Sequence, residues 1–436
     1  MRAILLMVTC GSLAAVTSAA NGQAAKGPQQ VVKPPVAQAW IDVATFAGMG
    51  MGMGMGGAAN PMAAISGMFG GGRGGQNTFG STKTGSAGRY VDVTLYSSRN
   101  PNLAEALQAV PPGTQLVPTL KLVAPVEQKA ARPDDESVEQ PEYERPKGKM
   151  LLYWGCGEAV RAGQPRVVDF ATAAPADFQK FFIARRATQR GAHSAGGRPH
   201  WPSRDDSRPV PDGASLVGEH GFSGQGVPDG FRFSIPAAQD IMPAIELAQR
   251  EAGGATFLEW KALPTARGYF VASMGAREGG AGGAGAEGGE MVFWTSSEQP
   301  DTGMGLVDYQ TNAAVDRWLK EKVLLEPSVT RCAVPKGIFG EGAMLRMIAY
   351  GSELNLVHPP RPSDPKIAWE PQWAVKVRVK SVASAMLGMD MNEMPGGGRG
   401  QRAAEADRGE AQQDSAKKDE EKKPGAIDVL RGIFGR

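Results

Sequence analysis

Short apolar segments that alternate with small or polar residues recur along most of the chain. Residues 39–46 alternate in this way, and residues 90–96 and 373–382 repeat the pattern. A period of two is typical of half-buried β-strands, because successive side chains of a strand point to opposite faces of its sheet. Many short strands separated by turn residues favour sandwich-type architecture. The sequence therefore predicts a mainly β protein.

Several further segments fit this β pattern, and a few fit short helices. The other predicted strands are residues 116–123, 150–154, 167–170, 215–217, 231–235, 257–260, 269–272, 291–295, 345–350 and 354–357. Short helices are predicted at 103–110, 178–190 and 313–323. Residues 242–251 suit either a helix, between Pro243 and Gly253, or a strand.

The length and the glycine distribution predict how the chain is divided. With 436 residues it is long enough for two domains, and we expect two β-sandwich-like domains with short helices. The predicted N-terminal domain is 25–235, with a flexible Gly/Met-rich insert at 47–88 and an acidic linker at 131–147; the second is 236–385. Residues 386–436 form a Met-rich segment and a disordered charged tail, because charges of both signs replace large apolar residues there.

The first residues are typical of a secretory signal peptide. Arg2 precedes an apolar run over residues 3–16, and Ser18, Ala19 and Ala20 offer a cleavage site. We expect residues 1–24 to be removed and the mature protein to be periplasmic or secreted. Lipidation at Cys10 is the alternative, but Thr9 fits it poorly. No later stretch approaches 18 unbroken apolar residues, so no transmembrane span is predicted.

Removal of Cys10 with the signal would leave two cysteines, Cys156 and Cys332. In an oxidising compartment, two cysteines in structured segments are most simply joined in a disulfide. The alternative is two separate buried thiols. A redox site of the C-x-x-C type is excluded by the spacing.

One stretch resembles a known family. Leu258, Glu259 and Trp260, followed by residues 266–271, resemble the Trp strand and the Gly-Tyr strand of a fibronectin type III-like module. Residues 325–334 resemble the corner before the penultimate strand of that fold, with Cys332 in place of the usual tyrosine. The resemblance spans residues 243–357. It implies a β-sandwich that serves as a scaffold or binding module, without catalytic residues.

Two methionine-rich runs are the most pointed chemical feature. Thioethers are soft ligands that select Cu(I) or Ag(I), so the runs are candidate metal-binding segments. The alternative is a glycine-rich linker with methionine as apolar filler or adaptable contact surface. The candidate ligands are Met49, Met51, Met53 and Met55 in the first run, and Met386, Met389, Met391 and Met394 in the second.

Other chemistries lack the residues that they need. The net charge of +2 excludes a polyanion-like or histone-like protein, and the basic stretch 178–208 indicates a solvated loop rather than a nucleic-acid site. His193, His200 and His220 lack zinc-ligand spacing. Gly221–Gln225 begins like a nucleophile elbow, but Gln225 breaks the G-x-S-x-G pattern.

These observations favour a non-enzymatic exported β-rich protein, a binding or structural module of the bacterial cell envelope. Its expected partner is an envelope protein or polymer, and no cofactor is expected. The oligomeric state stays open. Two alternatives remain: a periplasmic Cu(I)/Ag(I)-binding protein that uses the methionine runs, and an envelope-polymer hydrolase whose catalytic residues the sequence does not identify.

Overall fold

The computed structural model describes residues 30–48, 77–126, 148–182, 185, 191–277, 289–340 and 343–388. Within them the protein is mainly β, which confirms the predicted fold class. It contains strands β1 (Ala37–Gly48), β2 (Gly88–Ser97), β3 (Glu105–Ala109), β4 (Thr119–Val123), β5 (Lys149–Trp154), β6 (Arg166–Asp169), β7 (His200–Trp201), β8 (Gly218–Ser223), β9 (Arg232–Ile235), β10 (Leu247–Ala252), β11 (Ala255–Trp260), β12 (Gly268–Ala276), β13 (Glu290–Thr295), β14 (Arg331–Val334), β15 (Met344–Tyr350), β16 (Leu354–His358) and β17 (Trp373–Met386). The helices are α1 (Ser81–Thr84), α2 (Pro175–Phe181) and α3 (Asn312–Lys320).

Fourteen strands form one large mixed sheet. Thirteen of them follow the order β6-β5-β13-β12-β15-β17-β1-β2-β7-β4-β3-β8-β9, and β16 pairs with β17 beside this path. Its centre is β17, the longest strand, which pairs in parallel with β1 along the whole length of β1. The other edge of β17 is shared: β16 pairs with its first half and β15 with its second half. The two ends of the described chain therefore lie side by side in the middle of the sheet.

A second sheet of three strands, β10-β11-β14, covers one face of the large sheet. The largest apolar cluster joins Leu258 and Val334 of the small sheet to Val271 and Leu345 of the large one. Trp260 meets Tyr269 across this interface, with ring centroids 5.6 Å apart in an edge-to-face arrangement. We call this side of the large sheet the apolar face.

The opposite side carries helices and loops. Helix α3 begins at the Thr311 cap, whose hydroxyl accepts a hydrogen bond from the Ala314 amide, and it buries Val315 and Trp318. These side chains pack in a cluster with Phe270 and Ile348 of the sheet. We call this side the polar face, because charged residues are also buried on it.

Contacts divide the chain into two units, residues 1–389 and residues 390–436, and the second lies outside the described residues. The predicted boundary at 235/236 falls inside the first unit, and the large sheet runs across it because β1 pairs with β17. The boundary therefore does not separate two sheets. Most of the predicted insert, linker and tail lies outside the described residues.

Three local expectations are corrected or resolved. The insert was expected to be flexible to residue 88, but Asn77 is buried and residues 81–84 form α1. Residues 103–110, expected as a helix, contain β3, whose alternate residues Ala106 and Gln108 are buried between strands β4 and β8. The ambiguous segment 242–251 resolves in favour of a strand, β10. The helix expected at 313–323 is confirmed as α3. The one expected at 178–190 matches the structure only over residues 178–181 of α2, and residues 183–184 and 186–190 lie outside the described residues.

Candidate functional site

A row of charged side chains crosses three neighbouring strands on the polar face. Asp92 on β2 lies directly opposite Asp42 on β1, and Asp42 lies directly opposite Arg378 on β17. Directly opposite residues share a face and lie close enough to interact. All three side chains are buried, with exposed fractions of 1% for Asp42, 2% for Asp92 and 3% for Arg378.

Asp42 and Arg378 form a two-pronged ion pair. The Arg378 Nε donates to one Asp42 carboxylate oxygen at 2.6 Å and its Nη2 donates to the other at 2.5 Å. The Ala192 amide also donates to Asp42, at 3.0 Å. Gly191 lies so close that a Cβ there would be 1.6 Å from the guanidinium, so only glycine fits. The loop at 191–192 therefore seals the pair from solvent.

Asp92 is held by α1 instead of by a cation. Its carboxylate accepts hydrogen bonds from the Thr82 hydroxyl and from the amides of Gly80 and Thr82. Burial raises the pKa of Asp92 to about 7, and the nearby Asp42 charge adds to the rise, against the hydrogen bonds, which lower it. Asp92 therefore titrates near neutral pH in the folded protein.

Lys380 extends the row on the same face of β17. Its ammonium donates to Asp308 at 2.8 Å, and it lies 4.2 Å from the centre of the Tyr309 ring. The Arg378 guanidinium lies 4.3 Å from the centre of the same ring, so both cations contact Tyr309. Burial lowers the pKa of Lys380, and the Asp308 carboxylate opposes that effect.

The arrangement is suited to holding strands together. Each charge is met by an opposite charge, a backbone group or an aromatic ring, and the partners come from β1, β2, β17 and the segment that precedes α3. We expect pairs of this kind to favour the observed alignment of the neighbouring strands, because a shifted register would leave a buried charge without its partner. We name Asp42, Asp92, Asp308, Arg378 and Lys380 the charged cluster.

The histidines of the sequence do not converge. The His193 ring contacts Trp40 and the His200 ring contacts Phe79. His220 is buried, and its Nε2 bonds to the Leu216 carbonyl while burial lowers its pKa. Among the described residues, no three His, Cys, Asp or Glu side chains are grouped to hold a metal ion.

The predicted disulfide is confirmed. Cys156 and Cys332 are bonded, with their Cα atoms 5.1 Å apart. Cys156 follows β5 of the large sheet, and Cys332 lies on β14 of the small one. The bond therefore ties the small sheet to the apolar face across 176 positions of sequence.

Only one of the eight candidate methionines can be placed. Met386 is the last residue of β17, half-buried, and its carbonyl accepts a hydrogen bond from the Gln249 side chain at 2.8 Å. The other seven lie outside the described residues: Met49, Met51, Met53, Met55, Met389, Met391 and Met394.

The charged cluster was missed from the sequence. Asp42 and Asp92 occupy polar positions of the predicted strands 39–46 and 90–96, where alternation indicates a solvent-facing side chain. The sequence did carry one sign of the cluster, because acidic residues lie inside two predicted strands and the basic residues Arg378 and Lys380 lie inside a third. Strand pairing was needed to bring them together.

No protein-family model matches the chain, and no curated protein matches it. Among solved structures it is similar to the Fcho1 Mu homology domain of Danio rerio with a bound Eps15 peptide, at 10% identity. The match covers 82% of this chain and 98% of that chain, with a TM-score of 0.19, which supports no argument about fold or function. None of the helices in the described ranges is both long and apolar enough to cross a membrane.

Proposed function

We propose that the chain is a non-enzymatic, exported, β-rich binding or structural module of the bacterial cell envelope. The observation that carries this proposal is the Cys156–Cys332 disulfide. Disulfides form and persist in oxidising compartments and are rare in a reducing cytosol. The apolar run at residues 3–16 provides the matching export signal.

The use of the charged residues supports a structural or binding role. The side chains of Asp42, Arg378 and Lys380 form ion pairs inside the molecule, where they connect strands and loops. Such pairs fix a rigid frame, and a rigid frame presents its surface loops to a partner at little cost in ordering entropy. The contact between Trp260 and Tyr269 from two facing sheets agrees with a module that resembles fibronectin type III.

Export is tested by expressing the full chain in a bacterium and fractionating the cells. We expect envelope material whose N-terminus is Asn21 or Ala25 and which has no free thiol after denaturation without reductant. The matched control replaces Leu5 and Leu6 by arginine, which breaks the apolar run. That variant should stay in the cytoplasm, begin at Met1 and expose three thiols, those of Cys10, Cys156 and Cys332. Wild-type chain that behaves like this control would contradict the proposal.

The non-enzymatic role is tested on isolated envelope components. The mature chain is incubated with peptidoglycan sacculi or with outer-membrane vesicles, sedimented, and the polymers are then profiled by chromatography. We expect the chain to sediment with one component while that component keeps its profile. Shortened glycan or peptide products would instead support the hydrolase alternative, and no sedimentation with any envelope component would contradict the binding role.

A further inference from the structure

Three methionines stand in one row at one end of the large sheet. Met274 on β12 lies directly opposite Met344 on β15, and Met344 lies directly opposite Met386 on β17. Directly opposite residues on neighbouring strands point to the same face, with Cβ atoms about 4.5–5.5 Å apart. All three side chains are half-buried on the polar face, and the register places them side by side there. We call these residues the methionine row.

Among the described residues, β1 stops short of the outer end of the row, and the Gln249 side chain reaches the Met386 carbonyl there. Strand β1 pairs with β17 only as far as Gly48 and Ser384, two residues before Met386. Gly48 has no side chain, and a Cβ there would lie 2.0 Å from the Ser384 carbonyl oxygen. On the other side, Met274 lies opposite Phe293 and packs against the cluster that contains it. An ion could therefore approach from the Met386 end, with an apolar wall behind Met274.

The donor set selects a narrow class of ion. Three uncharged thioethers offer no compensation for the charge of a hard divalent cation, whereas soft sulfur ligands suit Cu(I) and Ag(I). Arg346 stands on the same face, two residues from Met344, and its Nη2 is held by the Val307 carbonyl at 3.1 Å. Its positive charge further disfavours a doubly charged ion over a monovalent one.

We propose that Met274, Met344 and Met386 form a binding site for a soft monovalent ion, Cu(I) or Ag(I), at the end of the large sheet. The site does not depend on the envelope role, so either proposal can fail without the other. It gives the predicted methionine chemistry a location within the described residues. Both predicted runs border this end of the sheet in sequence, because the first begins directly after Gly48 and the second begins with Met386 itself.

The first test is titration of the full-length mature chain with silver nitrate, followed by isothermal calorimetry and native mass spectrometry. Met344 is the shared member of both cross-strand pairs, so Met344→Leu removes the centre of the site while conserving most of the side-chain volume. We expect the Ag(I) dissociation constant to rise at least about tenfold, since even outer-shell changes at metal sites cost that much.

The matched control is Met347→Leu. Met347 lies on the same strand but is fully buried on the apolar face, so its substitution should leave Ag(I) affinity unchanged. Met386→Leu at the strand end provides a second variant of the row should Met344→Leu fail to fold, as judged by circular dichroism. It too should weaken binding.

The second measurement locates the ion directly. In protein labelled at the methionine methyl carbons, the variants Met274→Leu, Met344→Leu and Met386→Leu assign the signals of these three residues by their disappearance. We expect these three signals to shift together on addition of Ag(I). The same titration of a variant with leucine at Met49, Met51, Met53 and Met55 should still shift them. Unmoved row signals, or binding that survives Met344→Leu and vanishes in the four-leucine variant, would overturn the proposal.

Discussion

The two faces of the large sheet are buried by different physics. On the apolar face, Ile41, Val93 and Val377 pack with the small sheet in one hydrophobic cluster, and a disulfide crosses the interface. On the polar face, the alternate residues of the same strands are Asp42, Asp92 and Arg378. The same three strands, β1, β2 and β17, thus contribute to an apolar core on one side and to a buried ionic cluster on the other.

The apolar face and the polar face are therefore expected to contribute differently to the free energy of unfolding. Apolar burial contributes about 25 cal/mol per Å² and tolerates changes that conserve volume. Paired buried charges gain little net free energy, but loss of one partner leaves an uncompensated charge, which is costly. We therefore expect the apolar face to respond to volume and covalent changes, and the polar face to respond to charge and pH.

The largest expected effect comes from breaking the central ion pair. Arg378→Met leaves the Asp42 carboxylate buried without its cation and should lower the free energy of unfolding by about 3–5 kcal/mol. Adding Asp42→Asn should recover most of that loss, because the amide oxygen can still accept from Ala192. Urea denaturation of wild type, the two single variants and the double variant gives the interaction free energy between Asp42 and Arg378. Additive losses would show that the pair does not act as a unit.

The polar face should also respond to pH through Asp92. Its pKa is raised to about 7 in the folded protein, above the ordinary value of 3.8, so the folded state binds more protons between these values. The free energy of unfolding should therefore fall as pH rises from about 4 to about 7, by up to about 4 kcal/mol from this group. Denaturation at several pH values measures the slope.

Asp92→Asn should remove that contribution to the slope, whatever its effect on absolute stability. Asp205→Asn, at an exposed position, is the matched control and should keep the wild-type slope. Identical pH profiles for wild type and Asp92→Asn would contradict the assignment.

Loss of the Cys156–Cys332 disulfide on the apolar face should lower the free energy of unfolding somewhat less than loss of the central ion pair. Replacing Cys156 and Cys332 together by alanine should lower the free energy of unfolding by about 2–4 kcal/mol, because the unfolded chain regains its freedom. Reduction of the wild-type protein should give a similar loss in a thermal melt. The double variant should keep the pH slope of Asp92, since the bond lies on the other face. A change in that slope would mean that the faces are coupled.

The smallest effect is expected at an exposed ion pair. Lys33 and Glu370 lie 2.7 Å apart, with side chains 59% and 54% exposed. Lys33→Met should change the free energy of unfolding by less than about 1 kcal/mol, because water screens the pair. Denaturant midpoints of Lys33→Met and Arg378→Met measured side by side check the contrast, and equal losses would remove the distinction between buried and exposed charge.

The sequence predicted the elements better than their arrangement. Alternation in residues 39–46 and 373–382 correctly indicated strands, and cysteine counting correctly indicated a bond between Cys156 and Cys332. Residues 103–110 were wrongly assigned to a helix, because burial between two strands overrode local preference. The boundary at 235/236 was drawn from chain length and composition, whereas the large sheet crosses it because β1 pairs with β17 at the far end of the described chain.

The amino-acid sequence by itself determined the β class, the candidate pair of cysteines and the presence of many thioether side chains, because local periodicity and residue chemistry are readable without knowing which strands are neighbours. The tertiary structure decided that both faces of the central strands are covered, and so turned Asp42 and Asp92 from apparent surface residues into buried ones. It also decided that Met274, Met344 and Met386 stand in one row. Strand register fixes both outcomes, because register depends on contacts between residues hundreds of positions apart.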